Sequence, residues 1–250
     1  MSVRPRAAVT PFAALVLGLL TCLATERGVV GAEGLSYTNI RVANIPWSIH
    51  VVRIARTNGE FEVRSTHAEE GATGLSPLSA QTHRAAQVAG TAVAAINGDF
   101  YQRDRAYFGD PRGLQVVDGE VISAPNGGTA FWIDPAGHPV ASNVVSRFEA
   151  VWPDGRRLPF GLNGERHPDR MQLYTPALGA STRTSGGREL VLERAGQDGV
   201  WLPLAMGQEY SARVREVRET GNAPLAPGTL VLSLGPLLPG RCPSLRPVQS

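Results

Sequence analysis

The chain contains no lysine: all 24 residues of its basic count are arginine, against 22 acidic residues, for a formal net charge of +2 over 250 residues. A field of that size is too weak to gather nucleic acid, so that partner class is set aside, and the arginine bias is read as compositional rather than as phosphate chemistry. Cysteine is almost as scarce. Cys22 and Cys242 are the two in the chain, too few for a disulfide framework or a cysteine metal centre. Histidine is sparse and scattered: His50, His67, His83, His138 and His167 form no His-x-x-x-His or His-Glu pair, so a helix-borne zinc site is excluded. No Gly-x-Ser-x-Gly elbow occurs, which removes the serine-hydrolase anchor. No heptad pattern, fixed-period repeat or low-complexity tract occurs either.

One long apolar run is present. Residues 12–23 follow Arg4 and Arg6 and precede the small residues Val30-Gly31-Ala32. Charge, apolar core and small-residue exit in that order read as a secretory signal over residues 1–32, and the run is short for a bilayer span. An uncleaved anchor stays open as the alternative. Cleavage would remove Arg4, Arg6, Arg27 and Glu26 and leave 21 basic against 21 acidic residues. The expected location is secreted, periplasmic or cell-envelope, with no stable membrane insertion once the signal is gone.

With 42% apolar residues, the chain can bury one substantial core, and a single domain over residues 33–235 is the simplest expectation. Trp47, Ile49 and Val51 alternate with polar residues, and Phe61 and Val63 do so beyond Asn58-Gly59, which predicts a hairpin turning at Asn58-Gly59. Ser76-Pro77 is an N-cap and first-turn pair, and Leu78, Ala85, Ala86 and Val88 share a helical face that Gly90 closes. Strand-like patches then alternate with turn signals. Asp118-Gly119 separates residues 114–117 from Val121-Ile122, and Asp134-Pro135-Ala136-Gly137 and Pro153-Asp154-Gly155 mark further reversals. Gly127-Gly128 and Gly186-Gly187 read as turns, and further strands are expected at residues 190–192, 200–202, 210–217 and 230–232. The class is α+β, mostly antiparallel β-sheet with few helices. Residues 236–250 are rich in proline and read as a loose tail.

The stretch with the strongest chemical signal is Thr91-Ala92-Val93-Ala94-Ala95-Ile96-Asn97-Gly98-Asp99-Phe100-Tyr101. Small and branched apolar residues predict a strand buried on both faces that ends in an amide and a carboxylate, with glycine easing the turn. Two readings stay open on these residues alone: a site at the rim of the core, or a hairpin turn at Asn97-Gly98 with Asp99 in solvent. Downstream, Asp104, Asp110, Arg103, Arg105 and Arg112 add carboxylates and phosphate-matching guanidinium forks. No EF-hand spacing is present, so calcium has no motif here, although a carboxylate-rich loop leaves a divalent cation open.

Asn97-Gly98-Asp99-Phe100-Tyr101, followed by Gly113-Leu114-Gln115-Val116-Val117-Asp118-Gly119-Glu120-Val121-Ile122-Ser123, resembles the phosphodiester glycosidase family. Weaker likenesses follow in order at Leu173-Tyr174-Thr175-Pro176, at Glu189-Leu190-Val191-Leu192 and at Gly228-Thr229-Leu230-Val231-Leu232-Ser233, so that residues 44–235 are covered. The resemblance implies hydrolysis of a sugar joined through phosphate, with a carbohydrate or sugar-phosphate as ligand. It places Asn97 and Asp99 in the site. Chemistry then suggests Asp99 as the carboxylate that stabilises the sugar cation or activates water, and Asn97 as a hydrogen-bonding partner. Arg112, Asp110 and Tyr101 are the expected substrate contacts, Arg112 for phosphate. Family members also carry an Asn-Leu-Asp-Gly-Gly-Gly-Ser-like motif with no counterpart in these 250 residues. The expectation is therefore a domain truncated at its C-terminal side, or a form that binds without cleaving.

Overall fold

A computed structural model describes residues 24–30, 33–57, 59–69, 72–103, 106–196 and 201–238, with the backbone alone for 24–30. Most of the expected signal segment, Cys22, Cys242, Asp104, Arg105, Asn58, Val200 and the tail beyond Leu238 lie outside the described residues. The chain divides into two compact units, residues 1–61 and 62–250.

The first unit is an antiparallel meander of β1 (Ala24–Val30), β2 (Leu35–Val42) and β3 (Trp47–Ile54), with β2 in the middle. Trp47, Ile49 and Val51 do lie on a strand, as their alternation predicts. Their partner is β2, however: Ile49 faces Ile40 and Val51 faces Thr38. The hairpin expected across Asn58-Gly59 does not form, since Phe61 and Val63 are outside any strand. None of the described side chains of this unit is buried. A polar contact also spans its strands: Tyr37 stacks on His50 with ring centroids 5.9 Å apart, and its hydroxyl lies 2.6 Å from His50 Nδ1. Cleavage after Ala32 would take β1 away from this sheet.

The second unit holds the core. It begins with α1 (Leu78–Ala89), which matches the expected helix, although Pro77 rather than Ser76 occupies the N-cap and no side chain caps it. Ser76 Oγ instead accepts from Arg84 Nη2 at 3.0 Å. Two hairpins follow. The strands β4 (Gln115–Val117) and β5 (Glu120–Ser123) turn through Asp118 and Gly119, with φ of 48° and 84°. Positive φ at both positions is what a tight hairpin requires, which explains the Asp-Gly pair. The strands β6 (Thr129–Ile133) and β7 (Pro139–Asn143) reverse at Asp134-Pro135-Ala136-Gly137, where Asp134 Oδ1 accepts from the His138 amide at 2.7 Å.

The main sheet has six strands: β8 (Glu149–Val151), β9 (Arg157–Leu162), β10 (Met171–Tyr174), β11 (Arg188–Arg194), β12 (Ala212–Arg218) and β13 (Leu230–Leu234). Their spatial order is β12-β11-β13-β10-β9-β8. Only β9 and β10 run parallel; the remaining pairs are antiparallel. Trp201 and Leu202, expected in a strand, lie outside one. Among the described residues the protein is therefore β-rich with one α-helix and mixed, mainly antiparallel sheets.

The two faces of this sheet differ because successive side chains alternate. Met171, Leu173, Leu190, Leu230, Leu232 and Leu234 pack in one leucine-rich core with Trp152, Leu162 and Leu238. Leu238, the third residue of the expected loose tail, is thus buried at 7% exposed. The other face carries Tyr174, Val191 and Val231, which pack with Tyr107, Leu178, Ala223 and Leu225. It also carries polar residues: Glu189 and Ser233 are fully buried. Burial of that kind requires partners. Glu189 accepts from Thr184 Oγ1 at 2.8 Å and from the Ala223 amide at 2.7 Å, and Ser233 Oγ meets Arg166 Nη1 at 2.7 Å.

Candidate functional site

Residues 91–96, the expected buried strand, form no strand, and residues 91–100 are exposed throughout. Val93, Ile96 and Phe100 are 50%, 86% and 77% exposed. No backbone–backbone bond joins residues 94–98 to other described residues. A strand buried on both faces needs sheet partners on both edges and layers above and below, and the described residues supply none here. Apolar composition identified the segment as core material without identifying what it would pack against.

Beyond it the chain becomes ordered by its own hydrogen bonds. The Gln102 amide donates to Asp110 O at 2.8 Å, the Gly109 amide to Gln102 O at 2.9 Å, and the Arg112 amide to Phe100 O at 3.1 Å. Tyr101 and Pro111 form a bridge, and Tyr101 packs edge-on against Phe108 with centroids 5.9 Å apart. The loop is thus closed like a purse, with Asp99 just outside its neck.

Asp99 lines a cavity of about 170 Å³ together with Gly113, Leu114, Pro125, Asn126, Gly128, Thr129 and Ala130. Asp99 Oδ1 accepts from the Phe100 amide at 2.7 Å. A Cβ placed on Gly113 would collide with Asp99 Oδ2, so the glycine allows the carboxylate to lie directly against the backbone. Asn126 also lines the cavity; its Nδ2 donates to Arg112 O at 3.1 Å and its Oδ1 accepts from the Gly128 amide at 2.9 Å. Thr129 Oγ1 donates to Asn143 Oδ1 at 3.0 Å, tying the cavity edge to the β6–β7 ribbon. The arrangement offers one carboxylate beside backbone and amide groups in a space smaller than the roughly 300 Å³ at which drug-sized sites begin.

Of the five residues singled out by sequence, Asp99 alone lines this cavity. Asn97 is exposed and makes no hydrogen bond to a described residue. Tyr101 is 41% exposed and committed to Phe108. Arg112 is exposed and contributes its backbone to the wall beside Gly113.

Asp110, expected to contact substrate, is 2% exposed. Arg183 Nη1 reaches its two carboxylate oxygens at 3.3 and 3.1 Å and Ala106 O at 3.3 Å, while Nη2 donates to Leu178 O. The guanidinium carbon sits 6.0 Å from the Tyr107 ring centre. Burial raises the Asp110 pKa above the usual carboxylate range, with Thr73 and Arg183 opposing that shift. Next to the pair, Tyr107 and Tyr174 share a 3.0 Å hydroxyl contact, and burial raises both phenols. Asp110 therefore fastens the loop from inside. Nothing in the sequence around Arg183 announces it, since the residue sits at φ 56°, an uncommon backbone for a non-glycine. Asn126 was legible only as the residue before a Gly-Gly turn.

Among the described residues no group of three or more His, Cys, Asp or Glu side chains comes together in a metal-binding arrangement. No described helix is long and apolar enough to cross a membrane.

No family model matches the chain, and no curated protein does. A solved structure, the crystal structure of a hypothetical protein from Synechocystis, is similar, with 16% identity and a TM-score of 0.61 over 88% of this chain and 38% of that one. At that identity the likeness concerns the fold alone, which this chain shares over well under half of the Synechocystis protein's length.

Proposed function

We propose that this chain is an exported α+β domain of the phosphodiester glycosidase type, acting on a sugar linked through phosphate in an envelope or extracellular glycan. The observation that carries the reading is the placement of Asp99, the carboxylate of the Asn-Gly-Asp-Phe-Tyr motif, in a small polar cavity against Gly113. In the reaction water adds to the anomeric carbon as its bond to the phosphate oxygen breaks. The phosphate monoester leaves with the bonding electrons, and the water proton passes to solvent or to the leaving group. A phosphate needs less help from a general acid than an alkoxide does, so one carboxylate near the sugar carbon is a workable minimum. Asp99 takes that role. Arg112, exposed beside the cavity wall, is the candidate for the phosphate.

A second reading, a secreted carbohydrate-binding module without turnover, has an observation in its favour: Asp99 is the one carboxylate among the described cavity residues, whereas most glycosidases use two. The test is incubation with the methyl phosphodiester of N-acetylglucosamine, following sugar release. Turnover abolished by Asp99→Ala, with wild-type circular dichroism, supports the enzyme. Binding without release supports the module, and equal turnover by both proteins removes Asp99 from the mechanism.

A further inference from the structure

We propose that Asn126 is the positioning residue of the Asp99 cavity, a strut whose two amide ends fix the walls between which the carboxylate is held. The proposal deepens the reading just given and rests on it for its kinetic arm alone. Asn126 is exposed, so core packing does not account for its placement, yet both ends of its amide are engaged. Nδ2 holds Arg112 O at 3.1 Å, and Oδ1 holds the Gly128 amide at 2.9 Å.

Each bond leads to a cavity wall. Arg112 precedes Gly113, the backbone on which Asp99 Oδ2 rests, and the Arg112 amide donates to Phe100 O at 3.1 Å. Phe100 in turn donates its own amide to Asp99 Oδ1 at 2.7 Å. Asn126 thus acts on both carboxylate oxygens through one peptide segment. On the far side, Gly128 O accepts from the Val144 amide at 3.2 Å, which anchors the strut to the end of β7. Gly128 also has no room to spare: a Cβ there would lie 2.8 Å from Asn126 Oδ1. Asparagine fits because its amide offers a donor and an acceptor in one plane; alanine offers neither, and aspartate as carboxylate offers acceptors alone.

Solvent can replace these bonds in free energy but not in geometry. The variants Asn126→Ala and Asn126→Asp therefore keep the fold, with midpoint changes under about 4 °C, and lose the site. Amide hydrogen exchange by NMR reads the Gly128 end of the strut directly, and the Arg112 end through that residue's own amide, whose bond to Phe100 O loosens when its peptide loses Asn126. In Asn126→Ala the Gly128 and Arg112 amides exchange at least tenfold faster than in wild type. In Asn126→Asp Gly128 stays protected and Arg112 does not. On the methyl phosphodiester of N-acetylglucosamine both variants lose at least tenfold in kcat, with KM within threefold, because the carboxylate is displaced rather than removed.

Unchanged exchange at Arg112 and Gly128 in Asn126→Ala overturns the proposal, and so does faster exchange accompanied by wild-type kcat. If wild type releases no sugar, the enzymatic reading fails. The strut is then decided by exchange alone, where faster exchange supports it and unchanged exchange overturns it.

Discussion

Arg183 is held at an unfavourable φ of 56° and surrounded by acceptors, an arrangement that makes sense only if the charge it neutralises is costly. That charge is Asp110, whose carboxyl is pushed above its ordinary range chiefly by burial. A carboxyl with a raised folded pKa resists ionisation in the folded state. Its contribution to stability is full below the unfolded value near 4 and is lost as pH rises through the folded value. Replacing Arg183 removes the group that opposes the shift and extends that loss. Arg183→Met is therefore expected to cost about 3–5 kcal/mol at pH 7, the usual penalty for stranding one partner of a buried pair. The gap to wild type narrows as pH falls through the raised folded value, where Asp110 takes up its proton. Urea unfolding across that range checks both statements, and a gap independent of pH would show that Asp110 is not the stranded group.

The strands contribute unequally. Those at the centre of the six-stranded sheet, β10 and β13, are buried at every position, whereas α1 has no buried residue and leaves Val88 85% exposed. Leu232→Ala is accordingly expected to destabilise by about 2–5 kcal/mol, the range for deleting a buried leucine. Val88→Ala should stay within about 0.5 kcal/mol. Comparable losses in thermal or urea unfolding would mean that the helix is packed more deeply than its exposure indicates. The same contrast explains what could be read in advance. The turns at Asp118-Gly119, Asp134-Gly137 and Asp154-Gly155, the α1 helix and the strands at residues 190–192 and 230–232 depend on local backbone chemistry, so their residues announce them. The partner of β3 is a long-range choice: Trp47, Ile49 and Val51 alternate equally well beside Leu35–Val42 or beside Phe61 and Val63. Asp99 was legible because a carboxylate interrupts an apolar run. Asn126 and Arg183 were not, since each acts through backbone groups brought near by folding.

Residues 91–100 bring the exposed apolar surface and the chain's charge into one argument. The net charge of +2 over 250 residues gives little long-range repulsion between copies. Val93, Ile96 and Phe100 meanwhile present apolar side chains on a segment whose backbone, over residues 94–98, is unpaired among the described residues. Phe131 and Val145 add further exposed apolar surface at 62% and 76%. An unpaired, β-competent segment with no charge and no proline before Asp99 has few of the devices by which natural sheets discourage edge pairing. The expected behaviour is reversible association that grows with concentration. A charge on the segment, Ile96→Lys, should weaken that association at least tenfold without changing the unfolding midpoint, because an exposed side chain contributes little to the fold. Sedimentation velocity over a hundredfold concentration range reads the first quantity and differential scanning fluorimetry the second. Association unaffected by Ile96→Lys would place the sticky surface elsewhere. A large fall in midpoint would show that residues 91–100 are packed in solution, as their composition first implied.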